Sequence, residues 1–430
     1  MVFGAVEESA KSTSLKQKHS LKQFCEVSQT GKSFVGIKVD GESFEIHFPI
    51  GYKIPSKDEL LRQDIRNLME VLARHPPKDP DGQFNREADT GSLQFPFQAY
   101  MDVIEYYLNF GVYVEKESIY KTGTRGKINW PRTIRDQIPL TQIKNNTSSL
   151  VYTQFAIRSS TTNTNKLITQ INRYCVCESF RNLGWLYGTH RPEPSGSWPG
   201  KDLSRIILNT EMGKTFDDNK RALFRAMLDI LDYEGGKHTS KQFKFGTEKF
   251  YTIWEEMVDV AFGNPLPQQP EAKWILRPSN QEHPASKLRL DSVMHRKDCS
   301  VVIDSKYMRY GVTLNIGHLP KTSEINKQLT YADHILKTEK IDEWALYNAF
   351  VLPFCKDTKR SLNNGEKFQN IGEAIGKWRV KDGVQLKHYE RIQAILIDTR
   401  YLMYNYQHIM ESDKDALVSC IKEGLKTPLK

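Results

Sequence analysis

The sequence has no run of about 18 apolar residues, the length a membrane-spanning helix needs, so a membrane-embedded protein is not expected. Its opening stretch, MVFGAVEESAKSTSLKQKHS, lacks the apolar segment of a secretory signal. Cysteine is scarce and scattered: Cys25, Cys175, Cys177, Cys299, Cys355 and Cys420. The closest pair is Cys-Val-Cys, not the CxxC spacing of a zinc site. Reduced thiols in a cytoplasmic protein are therefore expected. Repeats of fixed period and low-complexity tracts are missing. Excess charge is modest as well. Lys and Arg number 61 against 52 Asp and Glu, a net +9, which permits a polyanionic partner without requiring one.

A phosphate-cradling glycine loop is also lacking. Gly31-Lys32-Ser33 looks like the end of a P-loop, but Glu26 stands where the motif needs its first glycine. The segment also leads into strand-like sequence, so no helix N-terminus would face a phosphate. Gly236-Lys237 is followed by His238 rather than Ser or Thr. Nucleotide hydrolysis by this chain is not expected.

What is present is a globular composition, 39% apolar and 26% charged over 430 residues, enough for two or three domains. Residues 33–50 read as a hairpin. Val35, Ile37 and Val39 alternate on one strand, Asp40-Gly41 supplies the turn, and Phe44, Ile46 and Phe48 alternate on the return. Helical spacing follows at about 57–74 and 97–110, with a loop between. Residues 121–135 gather Lys121, Arg125, Lys127, Arg132 and Arg135 around Trp130, a composition that suits phosphate contact with stacking. A solvated loop with a packed Trp is the plainer alternative. A long helix near 163–186 and a Pro/Gly-rich linker at 191–202 come next, then a helix over 216–233.

From about 246 the pattern becomes α/β. A helix over 248–262 precedes strands near Trp274–Leu276, Leu288–Met294 and Ser300–Tyr307. A helix over 323–338, strands near Tyr347–Leu352 and Ile392–Asp398, and a terminal helix over 412–426 complete it. The division expected is 1–120 as an α+β region with a β-hairpin, 121–245 as a basic and helical region, and 246–430 as the α/β domain.

The chemistry concentrates in KLRLDSVMHRKDCSVVIDSKYM, residues 287–308. Two β-prone runs flank a polar connection. With Lys297-Asp298 at the tip of a symmetric hairpin, Asp291 lies opposite Asp304, about 5 Å away at Cβ. Asp304 and Lys306, two apart on one strand, project to the same face. Two crowded carboxylates attract a hard divalent cation, and an adjacent ammonium can orient water and offset phosphoryl charge. A solvated strand end is the plainer reading of Asp-x-Lys taken alone.

Asp291 followed by Asp304-Ser305-Lys306 resembles the PD-(D/E)xK nuclease signature, and the order of elements resembles that superfamily's αβββαβ core, a mixed sheet flanked by helices. Within it, IDSKY (303–307) resembles the corresponding segment of McrC-like nuclease subunits. SEINKQLTY (323–331) and GKINWPRTI (126–134) resemble motifs of the LlaJI restriction endonuclease family. Leu290 stands where the signature has Pro, and Gln328-x-x-Tyr331 is one residue shorter than the QxxxY of RecB-type nucleases. The resemblance implies an Mg²⁺-dependent DNA endonuclease of phage defence, with Asp291, Asp304 and Glu255 at the metal and Lys306 and Gln328 completing the catalytic set. Glu255, beside Trp254 at the edge of an apolar helical stripe, fits the family's helix acid, and Glu256 is the neighbouring alternative. Arg125, Lys127, Arg132 and Tyr331 would meet double-stranded DNA. A separate McrB-like AAA+ GTPase, binding GTP that this chain does not, would engage the N-terminal region near 33–52. An autonomous type II enzyme and a non-catalytic DNA-binding protein with a degenerate core are the alternatives.

Overall fold

A computed structural model describes residues 21–40, 43–75, 96–144, 147–188, 192, 198–234, 242–265, 269–285, 288–357 and 366–426. The chain forms two compact units, one from Met1–Ser92 with Ser240–Lys430 and the other from Leu93–Thr239. This division differs from three consecutive segments split at 120 and 245.

The first unit begins with β1 (Cys25–Val27), β2 (Val35–Asp40), β3 (Ser43–Phe48) and helix α1 (Asp58–Arg74). The expected hairpin forms, with Ile37 opposite Ile46; its Gly41-Glu42 turn lies outside the described residues. Gly31-Lys32-Ser33 leads into β2 through a turn, as expected of a segment that is not a P-loop.

The chain then enters the second unit. This contains α2 (Phe97–Phe110), β4 (Glu115–Gly123), β5 (Lys127–Ile128), α3 (Trp130–Asp136), β6 (Leu140–Lys144), β7 (Thr147–Val151) and β8 (Phe155–Asn163). Helices α4 (Leu167–Leu183), α5 (Lys201–Lys214) and α6 (Asp218–Glu234) follow. Strands β4, β8 and β5 form one sheet, while β6 and β7 form a separate two-stranded ribbon. The segment expected as a linker, 191–202, lies largely outside the described residues, and its described end enters α5.

Returning, β9 (Gln242–Thr247) pairs antiparallel with β2, giving the order β1-β3-β2-β9. That pairing ties the N-terminal segment to the C-terminal one. It also leaves β2 paired along both edges and β3 covered by β1 over Ile46–Phe48, with Val35, Ile37, Ile46 and Phe48 buried.

Next come α7 (Phe250–Phe262), β10 (Lys273–Leu276), β11 (Gln281–Pro284), β12 (Ser292–His295), β13 (Ser300–Ser305), α8 (Tyr310–Thr313) and α9 (Thr322–Glu339). Then follow β14 (Leu346–Phe354), β15 (Phe368–Ile375), β16 (Arg391–Asp398), α10 (Thr399–Asn405) and α11 (Glu411–Leu425). The central sheet runs β12-β13-β14-β16-β15, parallel at β13/β14 and β14/β16 and antiparallel at both margins. The unit is therefore mixed α/β. Strands β13, β14 and β16 are buried along their whole length, which is why they read as nearly continuous apolar runs. Trp274–Leu276, expected as the first core strand, instead joins β11 in an exposed ribbon outside this sheet. Leu329, Ala332 and Ile335 of α9 are buried against the sheet, with Ile325 and Leu336 at the margins of the same contact. Among the described residues no helix is long and apolar enough to cross a membrane, and none of the six cysteines forms a disulfide.

Candidate active site

The site begins with strand pairing. Ser292 faces Ile303 and His295 faces Ser300, the register expected for a tip at Lys297-Asp298. Continued by one residue, it sets Asp291 beside Asp304. The Asp291 Oδ2 accepts a hydrogen bond from the Ser305 amide at 2.9 Å, holding this carboxylate at the end of β13.

Asp304 is 2% exposed, at the end of the run Val301-Val302-Ile303. Lys306, on the same face of the extended chain, places Nζ 2.7 Å from Asp304 Oδ2 and 3.6 Å from Glu324 Oε1. Glu324 is in the first turn of α9, where Oε2 also accepts from the Lys321 amide at 2.8 Å. The lysine is thus held between an acid on the sheet and an acid on a helix.

Burial pushes the Asp304 carboxyl up to about 7, with the Asp291 charge adding and Lys306 opposing. Burial likewise raises Asp291, helped by Glu255, while the Ser305 amide and Lys306 pull the other way. Burial disfavours the Lys306 ammonium, yet Asp304, Asp291 and Glu324 together hold its pKa above the ordinary lysine value. The cation therefore persists at neutral pH beside two acids of raised proton affinity.

Helix α7 supplies the third acid. Phe250, Ile253, Trp254, Met257, Val258 and Ala261 bury its apolar face. Burial pushes the Glu255 carboxyl up; Lys306 opposes this and Asp304 adds to it, so Glu255 belongs electrostatically to the cluster. Glu256 is taken by His75, whose Nδ1 lies 2.7 Å from its Oε2. The structure thus separates the two neighbouring glutamates.

Gln328 is buried within the helix–sheet contact. Its Nε2 donates to the Val302 carbonyl at 3.2 Å and to Asn348 Oδ1 at 2.5 Å, tying α9 to β13 and β14. Tyr331, expected at the DNA, is 1% exposed in the core with Leu290, Val293 and Val302, and its hydroxyl donates to the Arg289 carbonyl. In this packing its ring cannot reach a nucleic acid. Arg125, Lys127 and Arg132 are exposed but lie in the second unit; Arg132 pairs with Asp136 and sits 4.6 Å above the Tyr120 ring. Sequence reasoning missed Glu324 and Lys327. Their signal was spacing: Glu324 lies one turn before Gln328, and Lys327 interacts electrostatically with both Asp304 and Glu255.

The crowded pair Asp291 and Asp304, with Glu255 nearby, is donor chemistry that suits a hard divalent cation. Among the described residues, however, no group of three or more His, Cys, Asp or Glu is already arranged to hold one.

The family model described as LlaJI restriction endonuclease matches residues 34–374. The chain belongs to the LlaJI restriction endonuclease family. That match takes in the whole β12–β13 hairpin, Glu255, α9 and the basic segment of the second unit, so this LlaJI-family chain is a restriction-system nuclease by kind. A comparison with curated proteins gives no match. Among solved structures the chain is similar to one in a refined half-complex from a tetradecameric assembly of Thermococcus gammatolerans McrB AAA+ hexamers with bound McrC. Identity is 14% and the TM-score 0.34, over 91% of this chain and 82% of that one.

Proposed function

We propose that this chain is the Mg²⁺-dependent DNA-cleaving subunit of a restriction system, a PD-(D/E)xK-type endonuclease working with a McrB-like AAA+ GTPase. The observation that carries the reading is the Asp304–Lys306 pair at the end of a buried strand, with Asp291 held beside it by the Ser305 amide. Asp291, Asp304 and Glu255 would hold the cation, which when bound supplies positive charge to phosphoryl oxygens. Hydrolysis joins a water oxygen to phosphorus and breaks one phosphodiester P–O bond, and the leaving oxygen takes a proton. Lys306, whose ammonium form Asp304, Asp291 and Glu324 favour, would position the attacking water and offset developing charge. Asp304 and Glu324 fix its position. The GTPase partner rests on the IDSKY resemblance and on the missing P-loop.

Purified chain is assayed on duplex DNA with Mg²⁺, with and without a cognate GTPase and GTP. Cleavage needing all components is expected. Asp304→Ala and Lys306→Ala should each lower it by about a hundredfold to a thousandfold or more. Glu255→Gln should also impair it, whereas Glu256→Gln should not. Site-specific cleavage by the isolated chain, indifferent to the partner, would establish an autonomous type II enzyme. Cleavage unchanged in the Asp304 and Lys306 variants would refute the site, and no cleavage under any condition would favour a degenerate core.

A further inference from the structure

Lys306 is already engaged by protein acids. Its Nζ lies 2.7 Å from Asp304 Oδ2 and 3.6 Å from Glu324 Oε1, and its side chain is 16% exposed. A phosphodiester that approaches meets four carboxylates, Asp291, Asp304, Glu255 and Glu324. With all four ionised, Lys306 leaves three negative charges, and one bound divalent cation still leaves one. A polyanion needs further positive charge at that place.

Helix α9 supplies it. The face of α9 toward the site is fixed at three points. Glu324 meets Lys306, Gln328 Nε2 donates to the Val302 carbonyl at 3.2 Å, and the Tyr331 hydroxyl donates to the Arg289 carbonyl. Positions 324, 327 and 331 are each about one turn apart, so half-buried Lys327 stands on that face between Glu324 and Tyr331. Its Nζ is 5.3 Å from the centroid of the Tyr331 ring, which steadies an ammonium without neutralising it. Lys327 interacts electrostatically with Asp304 and Glu255. Arg289, two residues before Asp291, is exposed and acts on Glu255 as well. Among the described residues neither cation forms an ion pair with a carboxylate, in contrast to Lys306.

We propose that Lys327 and Arg289 clamp the DNA backbone across the acid cluster, with Lys327 donating to a non-bridging oxygen of the scissile phosphate and Arg289 holding a neighbouring phosphate. This rests on the reading of the chain as a nuclease acting on DNA. The two lysines of the site then have separate tasks: Lys306, fixed between acids, faces the water, and Lys327 faces the phosphate.

Binding of the full-length chain to a fluorescent duplex is measured across a salt series with Ca²⁺ in place of Mg²⁺, and cleavage is followed in Mg²⁺ with the cognate GTPase and GTP. Lys327→Met keeps the apolar stem over Tyr331. It should lower kcat about a hundredfold and flatten the salt slope of binding by about one. Lys327→Arg should restore most of the rate. Arg289→Gln should raise KM, leave kcat near wild type and flatten the slope by about one. Lys337→Met removes the same charge from an exposed position in the last turn of α9 and should change neither rate nor slope. Wild-type cleavage by Lys327→Met would overturn the clamp. So would a reduced rate with an unchanged salt slope, because Lys327 would then act only on Asp304 and Glu255. If Lys327→Met does not fold, Arg289→Gln decides, and an unchanged slope and KM there would also overturn the clamp. The binding series is read whether or not the chain cleaves. Absence of wild-type cleavage in every condition would therefore count against the nuclease reading, while the salt slopes judge the clamp separately.

Discussion

Asp304 shows how one buried acid couples folding to chemistry. Its pKa lies near 7 because burial and the Asp291 charge both oppose ionisation. In the unfolded chain the same carboxyl titrates near the ordinary aspartate value, about 3.9. Between about pH 4 and 7 the folded state therefore holds a proton that the unfolded state has released. The sign follows directly: stability from this group is greatest in acid, falls as pH rises through that window, and is flat above it. In metal-free protein Asp304→Asn should remove this dependence. Relative to wild type, the variant should gain stability between pH 4 and pH 8, because the wild type loses stability through that window. Denaturant melts at both pH values check this, and a wild-type-minus-variant difference that does not change between them would contradict it. The same residue would then carry opposite effects on stability and cleavage.

At the scale of elements, the DxK strand is fastened to the N-terminal hairpin. Tyr307, next to Lys306, accepts a hydrogen bond at its hydroxyl from the Ile50 amide at 2.7 Å. The Ile50 carbonyl in turn accepts from Thr399 Oγ1 at 2.9 Å, where β16 passes into α10. Ile50-Gly51 is thus clamped between the ends of β13 and β16. Gly51 permits this, because its φ of 76° is in the left-handed region and a Cβ there would meet Thr399 Oγ1 at 2.7 Å and the Phe354 backbone at 2.9 Å. Gly51→Ala should therefore cost about 1–3 kcal/mol or more, read as a lowered denaturation midpoint, and should depress cleavage by displacing Tyr307 and Lys306. A midpoint and cleavage rate equal to wild type would show that the clamp is slack.

At the scale of the molecule, the unit bearing the site is built from two stretches of chain far apart in sequence. Strand β9 is covered by β2. The Asp64 carboxylate of α1, fully buried, accepts from Arg400 at 2.9 Å and from Tyr404 at 2.7 Å. A fragment of residues 246–430 lacks Gln242–Phe245 of β9 and the N-terminal partner surface. It should show no cooperative thermal transition and should aggregate, because residues such as Phe250, Trp254 and Tyr307 lose part of their cover. Supplying residues 21–92 in the same cell should not rescue it unless β9 is restored by starting the fragment at 240. A soluble, cooperatively melting 246–430 fragment would mean the C-terminal sheet is independent of the N-terminal strands.

The hairpin that builds the site was legible because its determinants are local. Two apolar runs around HRKDC set the register, Asp-x-Lys alternation set the shared face, and complete burial of β13, β14 and β16 followed from their apolar runs. What the sequence could not carry were contacts between distant residues. Glu256 is distinguished from Glu255 by His75, 181 positions away. Tyr331 went to the core because Leu290 and Val302 met it there, although its helix position alone allowed the opposite flank. Trp274–Leu276 has a strand's composition, yet it pairs only with Gln281–Pro284, since a short apolar run specifies a strand without specifying its sheet. Local periodicity determined which segments extend and which face they bury; tertiary packing decided which of those faces meet, and so which acids surround Lys306.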